Sequence, residues 1–441
     1  MKKLLVILFA FPLILSAQSN FQKQFDNYMI AESTLREFNG VVMVVQKGTT
    51  LYKKAFGLAD REWNIPNTVE TKFRIGSVTK QFTSVCILQL AEAGKLGLDD
   101  KLNKYIPDYP KGDSITIHML LSHTSGIKNY TSLPEFWPKA VLPLSEDSMI
   151  ALFKNKPLDF TPGTEYNYSN SGYFLLGYIV EKAAGKIFPN YLNENVIKKA
   201  GLTNTGMDQL DSVLAFRAKG YSKNRAGVWQ HANYISMEAP FSAGAMYSTL
   251  DDLVKWTKAL HTNKIINSTS KQKMMNPVID HYGYGLVIDS FKTHPRVWHN
   301  GGIPGFSSSL VYYPQDDLCV VAISNTGSSA DKITAVFASI VYGLPVTIPY
   351  NPKEIKIDPS ILDKYTGKYM ATNPLELVKR DNKMFRHAEN GPDIELKPES
   401  TTRFFYADGS DRFIEFETDK SGNPQKAWFI TTTDKIQMRK L

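Results

Sequence analysis

Apolar positions follow a strand rhythm at both ends of the first three-quarters of this chain and a helical rhythm between them. Residues 20 to 38 have amphipathic helical spacing. Val41 to Gln46 and Leu51 to Phe56 then read as two short strands joined through Lys47-Gly48. From Gln81 to Ala93, apolar residues including Phe82, Val85, Cys86, Leu88, Leu90 and Ala91 cover much of a helix circumference, which predicts a buried helix. Phe174 to Ala184 is a second apolar helix. Ser308 to Tyr313 and Leu318 to Ile323 return to strand spacing, and a helix from Lys332 to Tyr342 ends at Gly343 and Pro345. Strands first and last with helices between predict an α+β domain, its antiparallel sheet completed from both ends and its middle forming a helical lobe.

After a linker at 346–360, rich in Pro, Lys and Asp, the pattern changes. Tyr365 to Tyr369, Leu375 to Val378, Asp393 to Leu396, Arg403 to Tyr406, Arg412 to Glu417, Ala427 to Thr431 and Ile436 to Arg439 are short strand-like runs. Turn signals such as Asn390-Gly391-Pro392 and Asp408-Gly409 separate them. This predicts a second, all-β domain at 361–441, an antiparallel meander or small barrel, after a first domain at 20–345.

Composition sets limits. The chain has 441 residues, 43% apolar and 21% charged, as an ordinary globular protein does. Met1 to Ala17 places Lys2 and Lys3 before an apolar run, Leu4 to Leu15, which predicts a secretory signal peptide and a secreted or periplasmic protein. No other segment approaches the roughly 20 apolar residues of a membrane span. Cys86 and Cys319 both lie in apolar runs, which favours buried thiols over a bridge. The formal net charge is +8, and most of the excess lies before residue 350. Its short basic runs lack the aromatic interleaving of a nucleic-acid surface, so no nucleic-acid partner is expected.

The chemistry starts at Gly76-Ser77-Val78-Thr79-Lys80. Serine and lysine three residues apart at a helix start share a face, so the amine can reach the hydroxyl. A serine needs such a neighbour to become a nucleophile. The spacing alone is weak, since it recurs at Ser125/Lys128, Ser268/Lys271, Ser270/Lys273 and Ser329/Lys332. Only Ser77 opens a buried helix. Two more elements follow in order: Tyr168-Ser169-Asn170 before the helix at Phe174, and Trp298-His299-Asn300-Gly301-Gly302 before a strand-like run.

S-x-x-K, then Y-x-N, then an H-x-G triplet resembles the serine hydrolases of the class C β-lactamase and penicillin-binding-protein family. Phe73-Arg74-Ile75-Gly76, Leu120 to Ile127 with its Ser122-His123-Thr124-Ser125, and Ser242-Ala243-Gly244 are similar to that family's flanking segments, and the likeness covers residues 22 to 345. The second domain resembles the lipocalin-like domain often appended to such hydrolases.

The resemblance implies an acyl-enzyme on Ser77, tuned by Lys80, with Tyr168 as proton relay. It implies that Asn170, His299, Asn300 and Gly301 bind substrate, and that the backbone N–H groups of Ser77 and Gly302 form an oxyanion hole. The expected substrate is a small ester, amide or peptide. Many lactamases carry lysine where His299 stands, and a largely neutral histidine shifts the balance from an efficient β-lactamase to an esterase, amidase or peptidase. The other reading is a penicillin-binding or cell-wall-peptide-binding protein that is acylated or binds without efficient turnover. No G-x-S-x-G elbow is present. The eight histidines form no H-E-x-x-H pattern, so neither a metal nor another cofactor is expected.

Overall fold

A computed structural model describes residues 10–209, 211–388 and 391–441. The signal peptide expected at 1–17 therefore lies partly outside the described residues. Contacts divide the chain into two units, Phe38–Thr334 and Met1–Glu37 with Ala335–Leu441. The sequence had instead placed residues 20–345 in one domain.

The first unit is mixed α and β. Its main sheet has six antiparallel strands in the order Val287–Phe291, His294–Ile303, Phe306–Tyr313, Leu318–Ser324, Gly40–Gln46, Thr49–Phe56. The two ends of this unit's sequence meet in the middle, where Val42 pairs with Ala322 and with Lys54 on its other side. Leu318–Ser324 is buried throughout, which explains its unbroken apolar run. The expected antiparallel sheet with a helical lobe is what forms.

In the lobe, a 3-10 turn at Gly76–Val78 leads into the helix Thr79–Glu92. Apolar residues on most sides bury that helix, and Phe82 stacks on Trp256 with ring centroids 3.8 Å apart. A second helix, Asn170–Ala184, ends at Gly185, whose φ of 65° is left-handed and suits glycine. Gly177 on this helix lets it approach Ser242, since a Cβ there would lie 2.1 Å from the Ser242 Oγ.

The second unit contains a closed barrel of eight antiparallel strands: Gly367–Met370, Pro374–Arg380, Lys383–His387, Ile394–Pro398, Arg403–Tyr406, Phe413–Thr418, Pro424–Ile430 and Lys435–Lys440. All seven expected runs overlap a strand. Lys383–His387 was missed. Phe404, Tyr406, Ile414 and Phe416 are buried in the barrel core, as one face of each strand must be. The same unit holds the helix Ala10–Leu35, where Phe25 meets Phe337 at 4.6 Å. Just beyond that helix, Arg36 donates to Asp411 Oδ1 at 2.6 Å and to the Tyr350 carbonyl at 3.0 Å. Among the described residues no helix is long and apolar enough to cross a membrane.

Candidate active site

Ser77 lies in the 3-10 turn, so Lys80 falls on the first helical turn below it and its side chain returns to the serine. The Lys80 side chain is fully buried. Its Nζ has three oxygen neighbours: Ser77 Oγ at 3.0 Å, Asn170 Oδ1 at 2.8 Å and the Ala243 carbonyl at 2.8 Å. Asn170 is oriented by its own amide, which donates to Asn129 Oδ1 at 3.3 Å and Thr131 Oγ1 at 3.4 Å. Its Oδ1 therefore faces Lys80, and like the Ala243 carbonyl it can only accept. Burial without a counter-ion holds the Lys80 amine well below its ordinary value. A neutral amine has two N–H donors and one lone pair. The Asn170 and Ala243 oxygens can each take one N–H, and the remaining contact of the nitrogen is with the Ser77 hydroxyl.

Tyr168 closes the other side. Lys80 Nζ is 4.8 Å from the centre of its ring. Burial pushes the phenol well above its ordinary value, and a hydrogen bond with Ser77 opposes this in part. Burial thus works against the charge on both the amine and the phenol that flank Ser77.

The His294–Ile303 strand brings the third element. Gly76 has φ 49°, and a Cβ on it would sit 2.9 Å from the Gly302 nitrogen. A Cβ on Gly301 would sit 2.0 Å from the Ile75 carbonyl oxygen. Backbone runs against backbone here, which only glycines permit, and places Gly302 beside the Ser77 turn. Ser77 and Gly302 line a cavity of about 80 Å³ with Tyr130, Trp137, Asn170 and Pro304 on its walls.

The match to the beta-lactamase family spans residues 26–339. The chain belongs to the beta-lactamase family. It is 28% identical over 403 residues to penicillin-binding protein 4* of Bacillus subtilis, covering 84% of this chain and 88% of that protein. It is 28% identical over 346 residues to a teichoic acid D-alanine hydrolase of Staphylococcus aureus, covering 76% and 80%. Among solved structures it resembles a penicillin binding protein from Bacillus halodurans, with TM-score 0.65 and 29% identity over 71% of this chain and 98% of that one. The protein is a serine hydrolase of the beta-lactamase family.

Three of the expected substrate-binding residues do not line the cavity of this beta-lactamase-family site. His299 is buried behind the cavity rather than lining it. Its Nε2 is 2.9 Å from the Tyr282 hydroxyl and its Nδ1 is 2.5 Å from the Asn300 carbonyl oxygen. Burial, with the charge of Lys80 second, pulls its pKa down to about 3. Asn300 points to the opposite face and donates to Asp331 Oδ2 at 2.7 Å. Gly301 packs on Ile75. Strand alternation is the reason: neighbours on a strand face opposite sides, so the triplet cannot present three side chains to one ligand. Gly302, Ser77 and Asn170 do line the cavity.

Sequence reasoning missed Asn129, Thr131, Ala243 and Tyr282. Asn129 and Thr131 follow directly on the Leu120 to Ile127 segment, and Ala243 lies inside Ser242-Ala243-Gly244, but only the folded chain shows what they touch. His123, from the same Leu120 to Ile127 segment, is buried beside Tyr168. The His123 carbonyl accepts from the Asn167 N–H at 3.0 Å and its Nδ1 accepts from the Ser169 N–H at 3.1 Å, so it brackets Tyr168 from both sides. The rings of His123 and Tyr168 lie 4.3 Å apart.

Proposed function

We propose that the protein is an exported hydrolase that forms an acyl-enzyme on Ser77 with a small ester or amide. The observation carrying this reading is the set of three oxygens around Lys80 Nζ, two of them obligate acceptors and the third the Ser77 hydroxyl. In this reading Lys80 takes the Ser77 proton as the oxygen attacks the carbonyl carbon. The new oxyanion is received by the N–H groups of Ser77 and Gly302. Tyr168, still a phenol, gives its proton to the departing alkoxide or amine and is refilled from the Lys80 ammonium. Water then attacks the ester, with the Lys80/Tyr168 pair removing its proton and returning it to Ser77.

The resemblance implies Tyr168 as proton relay beside Lys80; burial, which lowers the amine and raises the phenol, argues for the amine as first base. The relative named as a teichoic acid D-alanine hydrolase makes D-alanyl esters the first substrates to try, and D-amino-acid amides and a fluorescent penicillin the next. The deciding experiment uses p-nitrophenyl acetate. A burst followed by steady release, both lost in Ser77→Ala, is expected. A stoichiometric burst with no turnover would replace the hydrolase with an acylated binder.

A further inference from the structure

A second cavity of about 340 Å³ shares a wall with the site: Pro304 lines both. Its other walls include Arg74, Arg217, Lys219, His231 and Phe306, and none of the residues lining it is acidic. A close approach of backbone helps build it. Gly305, at φ 81°, comes so near Gly220 that a Cβ on Gly305 would lie 2.7 Å from the Gly220 Cα. The turn that follows Gly302 is thereby seated on the segment carrying Arg217 and Lys219. Pro304 is two residues past Gly302, and Arg74 is three before Ser77, which keeps its Cα within about 11 Å of the Ser77 Cα.

Its charges are unevenly matched. Lys219 is answered by Asp60 at 2.9 Å and Glu62 at 3.4 Å, and His231 also meets Glu62. Arg74 and Arg217 share one carboxylate: Arg74 Nε donates to Asp208 Oδ2 at 2.7 Å and Arg217 Nη1 to Oδ1 at 2.9 Å. Asp208 is buried and divided between the two guanidiniums, so Arg217 has a share of one carboxylate where Lys219 has two. The Arg217 side chain keeps 40% of its exposure and has guanidinium N–H groups beyond the one used. None of the residues lining the primary cavity is cationic, and His299 is buried outside its walls.

We propose that this groove is a subsite for an anionic arm of the substrate, a phosphate or a carboxylate, held by Arg217 with Arg74 while the scissile carbonyl sits at Ser77. The claim rests on the hydrolase reading and names a substrate class for it: a small ester or amide whose far end carries an oxyanion. Arg217 is a specificity residue and takes no part in the bond-breaking steps.

The test compares the full-length protein on p-nitrophenyl acetate, on the mono-p-nitrophenyl ester of glutarate, and on acetyl esters of glycerol and of glycerol 3-phosphate. The glutarate ester carries a carboxylate on the acyl side; the phosphate ester carries its charge on the alcohol. At least one anionic ester should exceed its neutral counterpart about tenfold or more in kcat/KM, mainly through KM, as a charge-assisted hydrogen bond allows. That ratio should collapse toward one in Arg217→Gln, recover in part in Arg217→Lys, and shrink with added salt. Ratios near one for both anions, or ratios unaltered in Arg217→Gln, would overturn the subsite. If p-nitrophenyl acetate is not turned over at all, the hydrolase reading falls by itself. The subsite is then judged by calorimetry of inorganic phosphate and glutarate with wild type and Arg217→Gln: binding that the substitution weakens supports it, and no binding by wild type rejects it.

Discussion

His299 is stored in the fold as a neutral ring, and that has a thermodynamic sign. Its folded pKa of about 3 lies below the ordinary 6.5. Between these values the unfolded chain binds a proton that the folded one does not, so its contribution is fully present above about pH 6.5 and is lost as pH falls. Going from pH 7 to 4.5 should cost about 2–3 kcal/mol from this ring alone. His123, also pushed down by burial, adds to the same slope. Urea unfolding at the two pH values checks this: His299→Gln should show a shallower loss than wild type, and parallel losses would refute the argument. For His123 the bracket around Tyr168 predicts that His123→Asn, which can still accept from Ser169 N–H, keeps more kcat than His123→Ala. The alanine should fall by about 10–100-fold, the scale of a misplaced catalytic group. Equal kcat for the two variants would reduce His123 to packing. The contact between residues 77 and 80 could be read from the sequence because helix periodicity puts them on one face, whereas a role for Asn170 came only from the resemblance. The roles of His299 and Asn300 could not, because a triplet in sequence becomes alternate faces once it is a strand.

At the scale of elements the site depends on how closely the Ser77 turn meets the His294–Ile303 strand. Gly301 faces the Ile75 carbonyl at a distance no Cβ tolerates, while a Cβ on Gly302 would meet nothing within 4 Å. Gly301→Ala should therefore push turn and strand apart, costing about 2–4 kcal/mol of stability by overpacking and strain. It should also remove most activity. Gly302→Ala should change stability by less than about 1 kcal/mol. Thermal unfolding of both separates the cases, and a Gly302→Ala loss as large as that of Gly301→Ala would contradict the geometry. Four of the six sheet strands and the helices after Ser77 and Asn170 were foreseen where one face or the whole element is apolar, whereas Val287–Phe291 and the extent of His294–Ile303 were not. The barrel strand Lys383–His387 escaped because only Met384 on it is fully buried and its other positions are charged or half-buried, which leaves no alternation to detect.

At the scale of the whole chain, the two cysteines test how far the catalytic unit behaves as one body. Both are free and buried, Cys86 on the helix that follows Ser77 and Cys319 in the central sheet. Burial raises the Cys86 thiol strongly and takes Cys319 up to about 12, so neither carries reactive thiolate in the folded protein. Both belong to one contiguous apolar cluster that also holds Phe82 and Trp256. If that cluster opens cooperatively, the two thiols become accessible in the same event. The native protein should then resist a thiol-reactive dye at mildly alkaline pH, and both cysteines should label together in concentrated guanidinium chloride. In the native state they should react slowly and at matching rates, read by peptide mass spectrometry. Gly301→Ala should speed both equally, because the lost stability is shared by the whole cluster. Faster labelling of Cys86 than of Cys319 would instead mean that the Ser77 helix detaches from the sheet by itself, and the rigid presentation of Lys80 to the serine would lose its physical basis.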